Sequence, residues 1–173
     1  RTTEFMRTLD VTYVGVDYSE RMVRECAARF PDAECTQCDA RDMSCFGDES
    51  FDFVLFSNNG YDCLDHTDRL SAIREVNRVL KAGGLFVFSS HNKDYEHARS
   101  HPRLELSWDP FRQARMIYNF FRRWNNHRKN RKYERFEDGY WILNDSSHLY
   151  SLLTHYISVP DEVRELREHG FEA

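Results

Sequence analysis

The chain has 173 residues, 40% hydrophobic and 31% charged, with a net charge of -5, enough for one globular core and short for two. A mean hydropathy of -0.74 and the absence of any apolar run near about eighteen residues argue against a membrane span, and Arg1-Thr2-Thr3-Glu4 does not read as a secretory leader. A soluble, cytoplasmic protein is expected, and thirteen Phe and nine Tyr exclude a disordered chain.

Thr2 to Leu9 reads as a short helix, and Val11 to Val16 as a buried strand ending at Asp17. Ser19 is suited to cap a helix whose apolar face carries Met22, Val23, Cys26, Ala27 and Phe30, and Pro31-Asp32 stops it. Ala33 to Cys38 is a second strand, closed by Asp39. Phe51 to Phe56 is a third, followed by the turn Ser57-Asn58-Asn59-Gly60. Leu70, Ile73, Val76 and Leu80 form the stripe of a helix from about Thr67 to Leu80, Gly83-Gly84 ends it, and Leu85 to Phe88 is a fourth strand. Strands joined by helices of this length predict an α/β fold, a mostly parallel sheet with helices on both faces.

After His91-Asn92 the pattern changes. Asp109-Pro110 predicts the start of a helix of about twenty residues, with Phe111, Ala114, Ile117, Phe121 and Trp124 on its apolar face and Arg112, Arg115, Arg122 and Arg123 on the other. Tyr140 to Leu143 and Leu149 to Ile157 read as strands. A last helix opens at Ser158-x-x-Asp161 and ends at Gly170. The resulting division is a core over residues 1–92, an inserted α+β cap over 93–157 and a closing core helix over 158–173.

Five cysteines in a chain without a leader predict reduced thiols. Cys35-x-x-Cys38 lies in a predicted strand, where residues three apart face opposite ways, which argues against a zinc site. His97 and His101 have helical spacing, but Pro102 follows and no third ligand is apparent. Charge is polarised along the chain: Asp32 to Asp65 holds nine acidic residues and one basic, Arg112 to Arg135 nine basic and one acidic. The basic stretch offers a surface for nucleic-acid phosphates, against the plainer reading of a solvated helix face.

In a parallel α/β sheet, ligands bind at the carboxyl ends of the strands. Asp17, Asp39, Ser57-Asn58 and His91-Asn92 sit at four such ends. A carboxylate at Asp17 suits the two hydroxyls of a ribose, and one at Asp39 suits an exocyclic amine, so together they describe an adenosine pocket.

The stretches VTYVGVDYSERMVRECAARFP, CDARDM and DESFDFVLFSNNGYDCLDHTDRLSAIREVNRVLKAGGLFVFSSHN resemble the class I S-adenosylmethionine-dependent methyltransferases over about Thr2 to Asn92. The resemblance implies a Rossmann-like sheet and S-adenosyl-L-methionine as cofactor, with Asp17 on the ribose hydroxyls, Tyr18 against the adenine, Asp39 and the Ala40 backbone on the adenine edge, and Ser57 and Asn58 near the methionine part. Lys81-Ala82-Gly83-Gly84 departs slightly from the family's Lys-Pro-Gly-Gly. The family's glycine-rich loop and first strand precede the point where this sequence starts, and strands follow where it stops, so the sequence reads as a fragment whose sheet lacks its first and last strands.

Methyl transfer from a sulfonium needs alignment above all, and a base only where the acceptor must lose a proton. Candidate bases are Tyr61, His66, His91, His148 and Tyr156. Three functions compete: methyl transfer to a small molecule beneath an aromatic cap of Phe120, Phe121, Trp124, Tyr140 and Trp141; an RNA methyltransferase or RNA-binding protein using residues 112–135; and a non-catalytic, methyltransferase-like interaction protein. The sequence leaves the oligomeric state open.

Overall fold

The computed structural model describes residues 2–96, 98, 99 and 101–173, the side chain of Ser147 apart. The chain divides into two compact units, one of residues 1–57 and 68–87, the other of residues 58–67 and 88–173.

In the first unit α1 (Thr2–Met6) precedes β1 (Val14–Asp17), α2 (Glu20–Arg29) and β2 (Glu34–Gln37). β1 and β2 pair in parallel, Val14 opposite Glu34 through Asp17 opposite Gln37. Ser19 caps α2 through Met22 N–H, as its position before an apolar-periodic run predicts. β3 (Phe51–Phe56) pairs with β4 (Leu80–Phe88), and α3 (His66–Val79) buries Ala72, Ile73, Val76 and Val79. The loop before β3 is pinned by α3: Arg78 donates to Glu75, Asp48 and the carbonyls of Met43 and Phe46, while Glu75 accepts from Met43 N–H. The four expected strands are present as two ladders, β1–β2 and β3–β4. Val16, Phe53, Leu55, Leu85 and Val87 are exposed on them. The glycine pair expected to end α3 lies instead inside β4, Gly83 at φ +77.

The second unit is built on a mixed four-stranded sheet in the order β5 (His91–Asn92), β8 (Thr154–Ile157), β7 (Tyr140–Leu143), β6 (Arg135–Phe136). β5 runs parallel to β8, and the other pairs are antiparallel. β8 is central and every residue in it is buried. Only its last four residues are strand; residues 148–150 form a left-handed turn in place of the longer strand expected from Leu149.

α4 (Pro110–Asn130) starts at the Asp109 cap as predicted. The face it buries is not the predicted one. Phe111 is 90% and Phe121 60% exposed, whereas His127 is buried and Asn126 and Asn130 donate to the carbonyls of Leu149 and Tyr150. Backbone carbonyls left over by the left-handed turn require donors, and the asparagine face supplies them.

α5 (Val159–Glu168) lies in the second unit. Lys93 and Arg164 converge on Asp161 in its first turn. The second unit also takes in residues 58–67. Among the described residues no helix is long and apolar enough to cross a membrane.

Candidate functional site

Asp17 ends β1 and Asp39 lies just past the end of the parallel neighbour β2, so register alone puts both acids at one edge of the ladder. Asp17 accepts from Ser19 N–H at 2.9 Å, which orients its carboxylate across the strand end. The ring of Tyr18 is exposed beside it. Asp39 is half-buried and grips Arg41, whose Nε lies 3.0 and 3.1 Å from its two oxygens; that contact first, with the Arg41 N–H, holds the carboxyl below its ordinary range. Ala40 sits in the turn that Asp42 N–H closes onto the Asp39 carbonyl. Ser57 Oγ lies 3.5 Å from Thr2 Oγ1. The boundary between the two units falls between Ser57 and Asn58, and Asn58 and Asn59 are both left-handed, a conformation asparagine tolerates better than most residues.

The second unit carries a different set of groups. Asp62, in the turn Gly60–Cys63, has no solvent exposure. It accepts from His91 N–H at 2.7 Å, His91 Nδ1 at 2.6 Å and Ser90 Oγ at 3.1 Å. The Asp62 hydrogen bond raises the pKa of His91, against burial, which lowers it. Beside them Tyr156 donates to Asp145 at 2.7 Å, and burial first, then that carboxylate, pushes its phenol well above the ordinary range. His91, Tyr156, Asp145, Asp94 and Tyr95 line a cavity of about 790 Å³.

The other expected bases are placed differently. Tyr61 is fully buried with its ring edge-on to Phe88. His66 is stacked on Tyr140 at 3.8 Å between ring centres. His148 is exposed in the left-handed turn. Of the five aromatic cap residues expected, none lines the cavity. Asp62 and Asn59, which organise His91, were not singled out by sequence: the only local signal is the Asn-Asn-Gly turn, and nothing in it points to a histidine 29 residues on.

Cys35 and Cys38 send their thiols to different neighbours, Cys35 to Cys26 at 2.9 Å and Cys38 to the carbonyls of Asp39 and Asp42. Among the described residues no cluster of three or more metal-ligating side chains occurs; His97 lies outside them.

Residues 1–88 match the profile of the methyltransferase domain family. The demethylmenaquinone methyltransferase of Staphylococcus aureus is 37% identical over 76 residues, 42% of this chain and 30% of that protein, so the match spans under a third of the curated relative's length. An S-adenosylmethionine-dependent methyltransferase from Mesorhizobium loti superposes with a TM-score of 0.63 at 20% identity, covering 99% of this chain and 68% of that one. The 1,6-didemethyltoxoflavin-N1-methyltransferase of Burkholderia thailandensis, solved with S-adenosylhomocysteine, gives 0.59 at 12%, covering 99% and 55%. At such identities the structural likeness is one of fold.

The cofactor of these structural neighbours is S-adenosylmethionine, and the Asp17 acceptor at the β1–β2 edge suits the hydroxyls of its ribose. Asp17 retains acceptor capacity beyond the one bond it takes from Ser19 N–H, because a carboxylate offers about four lone-pair sites, whereas both oxygens of Asp39 are engaged by Arg41. With half its length matched and a Rossmann-like framework, this chain belongs to the methyltransferase domain family of class I S-adenosylmethionine-dependent methyltransferases.

Proposed function

We propose that this protein transfers the methyl group of S-adenosylmethionine to a small organic acceptor. The observation that carries the reading is the pairing of Asp17 and Asp39 at one edge of the parallel β1–β2 ladder. In it Asp17 holds the ribose hydroxyls, Tyr18 lies against the adenine, Asp39 and the Ala40 backbone read the adenine edge, and Ser57 and Asn58 approach the methionine part. The cofactor brings a methyl group already activated on sulfur, so the protein's contribution is to align an acceptor and keep water out.

A small acceptor is supported by the cavity in the second unit, whose volume of about 790 Å³ falls in the range of small-molecule sites. The names of two similar proteins point the same way, one naming demethylmenaquinone and the other 1,6-didemethyltoxoflavin. A nucleic-acid acceptor has one observation in its favour, the exposed arginines of α4. Incubation with S-adenosyl-[methyl-³H]methionine and a cell extract separates the two. Label is expected in the low-molecular-mass fraction, and label confined to RNA contradicts the small-molecule acceptor.

A further inference from the structure

The His91–Asp62 pair has a defined proton arrangement. Ser89 Oγ donates to Asn59 Oδ1, and Asn59 N–H donates back to Ser89 Oγ at 3.1 Å. The amide of Asn59 is thereby oriented with Nδ2, a donor, toward His91 Nε2 at 3.4 Å. Asp62, an acceptor, faces Nδ1 at 2.6 Å. A donor on one side and a carboxylate on the other select the tautomer with the proton on Nδ1, leaving Nε2 as the acceptor. The 3.4 Å contact is long for a hydrogen bond, so Nε2 is held weakly and an incoming O–H or N–H competes for it readily.

We propose that His91 is the general base of the methyl transfer, oriented by Asp62, and that the acceptor is therefore a weakly acidic O–H or ring N–H group, such as a phenol or an azole, and not a thioether. The proposal rests on the methyltransferase reading above. As the acceptor's lone pair forms the bond to the methyl carbon, the methyl–sulfur bonding pair returns to sulfur, and the acceptor's proton passes to His91 Nε2. The resulting imidazolium is stabilised by the buried Asp62 carboxylate and passes the proton on to solvent. Asp62 touches no acceptor and is a positioning residue. Tyr156, whose phenol stays protonated, is not the base; it fixes Asp145 and packs its ring 5.0 Å from that of His91.

Among the described residues the charged and titratable groups near His91 include Asp62 from the Gly60–Cys63 turn, Asp145 after β7 and Tyr156 of β8, with Asp94 and Glu96 lining the same cavity. The carboxylates favour the imidazolium, so the pH profile of transfer should rise through an apparent pKa above 6.5 as His91 becomes neutral.

Nitrogen-15 spectra of the imidazoles in the intact protein test the arrangement directly. Neutral His91 should carry its proton on Nδ1 and titrate above 6.5, and Asp62→Asn should lower that value. A neutral form protonated on Nε2, or titration at or below 6.5, would overturn the proposal without need of any variant. Transfer from S-adenosyl-[methyl-³H]methionine to a panel of catechols, phenols and azoles tests the chemistry. His91→Gln, checked for fold by circular dichroism, should lose about 10²- to 10⁴-fold and the pH-dependent limb with it. Equal transfer by His91→Gln, or no transfer to any panel member by protein that binds S-adenosylhomocysteine, overturns the assignment. Protein that does not bind S-adenosylhomocysteine at all would instead contradict the underlying methyltransferase reading.

Discussion

Asp62 is tolerable without solvent because its oxygens meet donors that include the hydroxyl of Ser90 and the backbone and ring N–H of His91; removing the partner of a buried charge costs far more than an exposed pair contributes. The same hydrogen bond gives stability a pH dependence. His91 has its folded pKa raised by Asp62 above an ordinary 6.5, so its contribution is present in full below about 6.5 and is lost as pH rises through the folded value. The thermal midpoint should therefore decline above pH 6.5 in a step that Asp62→Asn abolishes, read by calorimetry between pH 5 and 9. His91 was legible in the sequence as a histidine at a strand end. Its partner was not, because burial of Asp62 depends on contacts with residues about thirty positions away that no local pattern announces.

Helices show where periodicity informs and where it misleads. The start of α4 was legible from Asp109-Pro110, since cap chemistry is local. Its buried face was not: an aromatic stripe at helical spacing predicts burial on apolar area alone, whereas the carbonyls around residues 148–150 draw the Asn126, His127 and Asn130 side inward. Three successive non-glycine residues with positive φ, His148, Leu149 and Tyr150, carry no sequence signature and replace what reads as strand. α5 was legible from its Ser158 cap, and its docking depends on Asp161, which accepts from Ser158, Lys93 and Arg164. The Ser158 hydroxyl first, then Lys93, lowers its pKa from 3.8 to about 2. That stabilisation is present above about 3.8 and is lost as pH falls toward 2. Asp161→Ala should cost about 1–3 kcal/mol at neutral pH in urea unfolding and remove this part of the acid sensitivity.

At the scale of the molecule, the βαβ unit β1–α2–β2 and its edge of acids follow from alternating strand and helix patterns and from Ser19, and the structure pairs β1 with β2 in parallel as expected. The joining of strands into sheets was less legible, because hydrogen-bond partners between distant strands are set by packing and not by any one strand's composition. Hence the mixed β5–β8–β7–β6 sheet and the assignment of residues 58–67 to the second unit. The central claim is that the β1–β2 edge is an adenosine pocket, and calorimetry with S-adenosylhomocysteine tests it most directly. Saturable one-to-one binding by the protein is predicted, weakened by about 1–3 kcal/mol, or roughly 5- to 150-fold, in Asp17→Ala. Equal affinity in the folded wild-type and Asp17→Ala proteins, or no binding by the folded wild type, would contradict it.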